Sequence, residues 1–216
     1  MPRISLIHAT PVAIDPVVDT FRRDWPEAEI YNLLEDSLAP DLERAGQLDE
    51  NMDQRFLRLA RYAADCGADG ILFTCSAFGT SIEKVARELT PLPVLKPNEA
   101  MFEEALQTGD RIGMIATFQP SVPSMEKEFM DLCAEKASTA KLKSICVPDA
   151  MKALRAGDAE THNRLVADAV NEFQNLDALL LAHFSTAQAF DAVRAKTDLP
   201  VMTSPGSAVR ALKALT

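Results

Sequence analysis

The stretch Asp69-Gly70-Ile71-Leu72-Phe73-Thr74-Cys75 sets a short apolar run between an acidic residue and a thiol. It returns 108 positions later as Asp177-Ala178-Leu179-Leu180-Leu181-Ala182-His183, with an imidazole in place of the thiol. Short, continuous apolar runs of this kind read as strands buried on both faces. Working outward, the same offset carries Arg3-Ile4-Ser5-Leu6-Ile7 onto Arg111-Ile112-Gly113-Met114-Ile115 and Pro97 onto Pro205. Leu92-Pro93-Val94 meets Leu199-Pro200-Val201 at an offset of 107. Matches in chain order at one spacing mark a duplicated βα unit.

Further runs complete the pattern: Ile30 to Leu34, Val94 and Leu95, Leu142 to Val147, and Val201 with Met202. Between them lie Ala-rich stretches with apolar residues three and four apart, as in Phe56, Leu57, Ala60, Ala63 and Ala64. Strands alternating with amphipathic helices predict an α/β fold. The duplication predicts two pseudo-symmetric three-layer α/β/α lobes, each with a mostly parallel four-stranded sheet. Lobe 1 is expected over 1–96 plus 207–216 and lobe 2 over 97–206, with the Pro-containing segments Leu92 to Asn98 and Val201 to Gly206 as crossings. Ligands of α/β sheets bind at the carboxyl ends of strands, so the site is expected in a cleft between the lobes, with Cys75 facing His183.

Charge and composition narrow the function. Of 216 residues, 22 are basic and 32 acidic, a formal charge of −10, and no basic run is interleaved with aromatics, which argues against nucleic acid. The N-terminal apolar run is too short for a signal peptide and no stretch reaches membrane-spanning length, so a cytoplasmic location and no membrane partner are expected. Cys66, Cys75, Cys133 and Cys146 form no CxxC pair, and the three histidines have no ligand-spaced neighbours. Neither a disulfide framework nor a metal site is expected. Phosphate-binding glycine motifs are missing, so no cofactor is expected.

Cys75 and His183 are the candidate catalytic residues. Cys75 is followed by Ser76-Ala77-Phe78-Gly79-Thr80 and a helix-like stretch, and a helix N-terminus there would lower the thiol pKa and favour thiolate. An imidazole at His183 would give or take a proton near neutral pH. His8 ends the first strand and is a candidate for binding substrate. His162, in a charged helical stretch, reads as part of a solvated face. The candidate carboxylate-binding groups are Thr10, Thr74 and Ser76 with the backbone after Cys75, including Ala77. In the second half they are Thr117, Ser121, Ser124, Ser185 and Thr186, with the backbone after His183 including Phe184. Ser and Thr at helix starts are equally ordinary N-caps.

Thr74-Cys75-Ser76 after a buried strand, Leu92-Pro93-Val94-Leu95-Lys96-Pro97-Asn98-Glu99-Ala100 before a helix, and Arg111-Ile112-Gly113-Met114-Ile115-Ala116-Thr117 followed by Ser121 carry a family likeness. In these segments and their order the chain resembles the aspartate/glutamate/hydantoin racemase superfamily over essentially its full length. The resemblance implies a cofactor-independent isomerase acting on a small carboxylate-bearing substrate, an amino acid or a hydantoin-like compound. It also implies two facing cysteines that remove and return the α-proton. Cys75 matches the first; His183 stands where the second is expected. Similar proteins with a changed pair include a single-cysteine arylmalonate decarboxylase and a maleate cis-trans isomerase with a nucleophilic cysteine. A lyase, a cis-trans isomerase and a non-catalytic binding protein therefore stay open as alternatives. A homo-oligomer, a dimer by base rate, is expected.

Overall fold

The computed structural model describes residues 1–216. The chain forms two compact units, Met1–Pro97 with Ala208–Thr216, and Asn98–Ser207.

The first unit runs β1 (Arg3–His8), α1 (Ile14–Asp24), β2 (Glu29–Leu34), α2 (Leu38–Ala45), α3 (Glu50–Asp65), β3 (Gly70–Phe73), α4 (Gly79–Glu88) and β4 (Val94–Leu95). Its four strands pair in parallel in the order β2-β1-β3-β4. The second unit runs α5 (Glu99–Thr108), β5 (Arg111–Ala116), α6 (Val122–Glu135), β6 (Lys141–Cys146), α7 (Pro148–Arg155), α8 (Ala159–Asp168), β7 (Ala178–Leu181), α9 (Phe190–Arg194) and β8 (Val201–Thr203). The order β6-β5-β7-β8, again all parallel, repeats that of the first sheet. The last helix, α10 (Ser204–Leu215), begins among residues of the second unit and ends in the first.

One of the two interior strands of each sheet, β3 or β7, is the quoted apolar run. All four residues of β3 and all four of β7 are buried. Alternation divides β7 between two cores: Ala178 and Leu180 pack with Met101, Phe102, Met125 and Phe129 of α5 and α6. Leu179 and Leu181 pack with Ala150, Val166 and Val193 of α7, α8 and α9. In the first unit Ile71 and Phe73 meet Met52, Phe56, Ala60, Ile82 and Val85 of α3 and α4. On the other side a Cβ added at Gly70 would lie 3.0 Å from Leu212 of α10, so glycine lets that helix approach.

The acidic residue that opens each run has a structural task. Asp69 accepts the backbone N–H of Arg3 at 2.8 Å, and Asp177 accepts that of Arg111 at 2.9 Å, so each carboxylate ties the entry of one strand to its neighbour. Asp177 also pairs with the Arg111 side chain at 2.5 Å, which with the backbone bonds holds its pKa down at about 2. The helices α3 and α8 start on Asp49 and Asp158, whose side chains accept N–H from Met52 and Thr161. Each satisfies one of the donors that a helix start leaves free.

Candidate active site

Cys75 follows β3 directly, with ordinary extended backbone (φ −120°, ψ 121°). A 3-10 turn, Ser76–Phe78, intervenes before α4, which starts at Gly79, two residues before the helix-like stretch read from Ser81, so Cys75 precedes a 3-10 turn rather than the α-helix itself. The half-buried thiol packs on a core in which the Phe56 ring lies 5.1 Å from Phe73 and 4.7 Å from Phe78. Burial among these groups pushes the thiol pKa up, and the backbone N–H of Ala77 offsets only part of that. The expected low-pKa thiolate is therefore corrected: Cys75 rests as a protonated thiol.

His8 ends β1 and is fully buried. Its Nδ1 is 2.9 Å from the Thr74 hydroxyl and its Nε2 is 2.9 Å from Oδ1 of Asn32. Read as a network, Nε2–H donates to Asn32 and the Thr74 hydroxyl donates to Nδ1, which leaves a neutral ring. Burial lowers the His8 pKa, partly countered by Asn32. The ring braces the residue before Cys75. Asn32 escaped the sequence reading; its only signal was one amide within the run Ile30-Tyr31-Asn32-Leu33-Leu34.

In the second unit His183 follows Ala182 with φ 72° and ψ 141°, a left-handed backbone rarely adopted by a residue with a Cβ. The backbone N–H of Thr117 points at Nδ1 from 3.4 Å, and Nε2 lies 2.6 Å from the Ser121 hydroxyl. Ser121 in turn donates to the Phe118 carbonyl at 2.8 Å. A backbone donor facing Nδ1 places the ring proton on Nε2, where Ser121 accepts it. A second proton would meet the Thr117 N–H head-on. Burial lowers the His183 pKa to about 4, so the ring is neutral near pH 7.

The other predicted binding groups divide. Thr117 and Thr186 join through their hydroxyls at 3.3 Å, and both are buried. Ser121 makes no capping bond at the start of α6; its hydroxyl serves His183 instead. Thr10, Ser76 and Ala77 are half-buried, Phe184 and Ser185 are buried, and Ser124 is exposed. His162 is a correction: it is fully buried, not on a solvated face, and its Nε2 has no partner. The charged residues around it point away while the helical period turns the imidazole inward, a distinction that composition hides.

A groove of about 610 Å³ runs between α3 and α4, but none of these residues lines it. Its Asp49 caps α3, its Asp53 is held by Ser81 and Lys84, and its Glu88 by Arg61. No group of three or more His, Cys, Asp or Glu side chains is arranged to hold a metal ion, and no helix is long and apolar enough to cross a membrane.

Two parallel α/β units that repeat one strand order, with Cys75 after β3 in the first and His183 beyond β7 in the second, define a duplicated α/β protein. Comparison with known proteins makes this specific. The sequence pattern of the Asp/Glu/Hydantoin racemase family matches residues 9–173. The chain belongs to that family, whose members are isomerases. The match ends before β7, so His183 lies outside it. Among solved structures, an allantoin racemase from Klebsiella pneumoniae superposes with a TM-score of 0.74 at 18% identity, covering 100% of this chain and 87% of that one. An aspartate racemase from Picrophilus torridus gives 0.73 at 13% identity, over 100% and 94%. A glutamate racemase from Bacillus anthracis gives 0.73 at 16%, over 99% and 81%. Compared by sequence with curated proteins, the chain has no match.

Proposed function

We propose that this protein is a cofactor-independent racemase- or epimerase-type isomerase of a small carboxylate-bearing substrate, an amino acid or a hydantoin-like compound. Cys75 is its thiol acid/base and His183 the acid/base opposite it. The observation that carries the reading is a thiol at the end of the interior strand β3 in a member of a racemase family. A protonated thiol is ready to donate to a carbanionic α-carbon, and the neutral imidazole accepts from one once its Nδ1 turns away from the Thr117 N–H. Thr10, Ser76, Ala77, Phe184 and Ser185 supply hydroxyls and N–H groups for the carboxylate and for enolate-like charge, while Thr74, Thr117 and Ser121, engaged by His8, Thr186 and His183, position the groups around them. The two resting states suit one direction of transfer: after it, thiolate and imidazolium must be reset against burial that disfavours both.

The test is entry of deuterium from D2O at the α-carbon across a panel of amino acids and hydantoins. Cys75→Ala is expected to lower exchange by a factor of roughly 10² to 10⁴, the range for removal of a positioned acid/base. Full-rate exchange in that variant overturns the reading.

A second reading draws on His183 specifically. Thr117 and Ser121 already engage both ring nitrogens, which favours chemistry needing only one proton carrier. In that reading Cys75 protonates an enediolate left when a substituted malonate loses carbon dioxide, with maleate-type isomerisation through a Cys75 adduct as its relative. Carbon dioxide release without α-exchange, in a His183→Gln variant that stays active, selects the lyase. A covalent adduct on Cys75 by mass spectrometry selects the cis-trans isomerase.

A further inference from the structure

Beside Cys75, inside the first unit, Ile7, His8, Ala9, Leu38, Phe56 and Phe73 wall a gap too narrow for a water molecule. Its lining carries no charge. Its one polar ring, His8, has both nitrogens engaged by Thr74 and Asn32. Leu38 belongs to a different kind of element from the rest of the wall. It is the one fully buried side chain of α2, an eight-residue helix whose other inward residues, Ala39, Asp41 and Leu42, are only half-buried. The other wall residues belong to the sheet, to the loop directly after β1, or to the long helix α3.

A clasp holds α2 in place. Arg55, one residue before the wall residue Phe56, bonds the carboxylate of Glu35, Asp41 at 2.5 Å and the Ser37 hydroxyl at 2.7 Å. Glu35 is itself fixed to the sheet, since its N–H donates to the His8 carbonyl at 3.0 Å. Gly46, at φ 72°, ends the helix. The segment from Glu35 to Gly46 is thus a strap fastened by charge at its rim, with Leu38 and the half-buried Leu42 on its inner side, of which Leu38 alone reaches the gap.

We propose that Leu38 is the specificity-determining residue beside Cys75. Leu38 fills the apolar, charge-free space beside the thiol, so a substituent of the substrate enters only as far as that side chain and its helix yield, and a second carboxylate is refused. The inference rests on Cys75 being the reacting thiol. The physical reason is desolvation: an alkyl or aryl group gains by leaving water against Leu38, Phe56 and Phe73, whereas a carboxylate there finds no donor or cation to replace its hydration. Substrates are then carboxylates with an apolar side chain, in preference to aspartate or glutamate. Arg55 is a positioning residue that acts through α2.

Alkylation of Cys75, followed by mass spectrometry, tests the subsite independently of turnover, with the exposed Cys66 in the same sample as reference. Iodoacetamide and iodoacetate are similar in size, and only the second is charged. Leu38→Ala is expected to speed iodoacetamide labelling of Cys75 relative to Cys66 by about tenfold, as opening a packed cover does. Iodoacetate labelling should gain less than about threefold, because its charge must still be desolvated. Arg55→Gln, which leaves the wall intact and loosens the clasp, should speed iodoacetamide in the same direction, and it answers the question if Leu38→Ala fails to fold. An unchanged Cys75/Cys66 ratio in both variants, or equal gains for both reagents, overturns the proposal. α-Exchange then reports on substrate: Leu38→Ala should shift preference from alanine toward phenylglycine, with aspartate poor in both proteins. Loss of all exchange in the unaltered protein refutes the isomerase reading and leaves the alkylation result standing.

Discussion

His183 is where the internal repeat breaks. Cys75 and His183 occupy equivalent places after β3 and β7, yet Cys75 has extended backbone and His183 a left-handed one. That twist directs the imidazole onto Thr117 and Ser121, and a side chain with a Cβ there stores roughly 1–3 kcal/mol of strain. Glycine is free of it, so the usual order reverses: His183→Gly should melt above His183→Ala, measured by calorimetry at one pH. Ser121→Ala removes the acceptor of the Nε2–H and should destabilise by about 1–3 kcal/mol, the penalty for a buried donor left unpaired. Nitrogen NMR of the ring reads the same event as a loss of the fixed tautomer. Sequence showed that Cys75 and His183 correspond. It did not show that the thiol is pushed up and the imidazole down, because both shifts come from burial, which exists only in the folded chain.

At the level of elements, all eight strands were legible: β3 and β7 because strands buried on both faces must be apolar throughout, and the more exposed edge strands β2 and β6 because short apolar runs recur between the helices. Their weight in stability follows. Leu180, fully buried between α5 and α6, should cost about 2–5 kcal/mol when cut to alanine. The cap Asp49→Ala should cost only about 1 kcal/mol. Urea titrations of the two variants order the effects, and a cap loss exceeding the core loss contradicts this account of β7. Helix starts were less legible. The helix after Cys75 starts at Gly79 behind a 3-10 turn, two residues before the stretch read as helical, and Ser121 reads as a cap although its hydroxyl turns to His183. A hydroxyl beside a helix start serves whichever partner folding brings nearer. Arg55 and Leu38 were invisible for the same reason: an arginine in an amphipathic helix and a leucine in a short one acquire meaning only when α2 is laid over Cys75.

Across the molecule, all three histidines rest neutral, one in the first unit and two in the second. Each has a folded pKa below its ordinary value of 6.5, so the unfolded chain binds more protons as pH falls. Their contribution is complete above about pH 6.5 and is lost on the way down through the folded pKa, near 4 for His183. For His183 alone the loss is at most about 3 kcal/mol, reduced by whatever water the half-buried ring keeps. Melting temperature should fall steadily from pH 7 to pH 4, and His183→Gln should flatten that slope; a flat profile in the unaltered protein contradicts neutral, buried rings. The amino-acid sequence by itself determined the duplicated parallel α/β architecture, and with it the family and the thiol at a strand end. These depend on periodicity and local order, which a chain carries whether or not it is folded. Only the tertiary structure decided that Cys75 rests protonated, that His183 is braced by Ser121, and that Leu38 lines the same narrow gap as the thiol. Protonation and access depend on burial and on partners distant in sequence, and these exist only once the sheets and helices have packed.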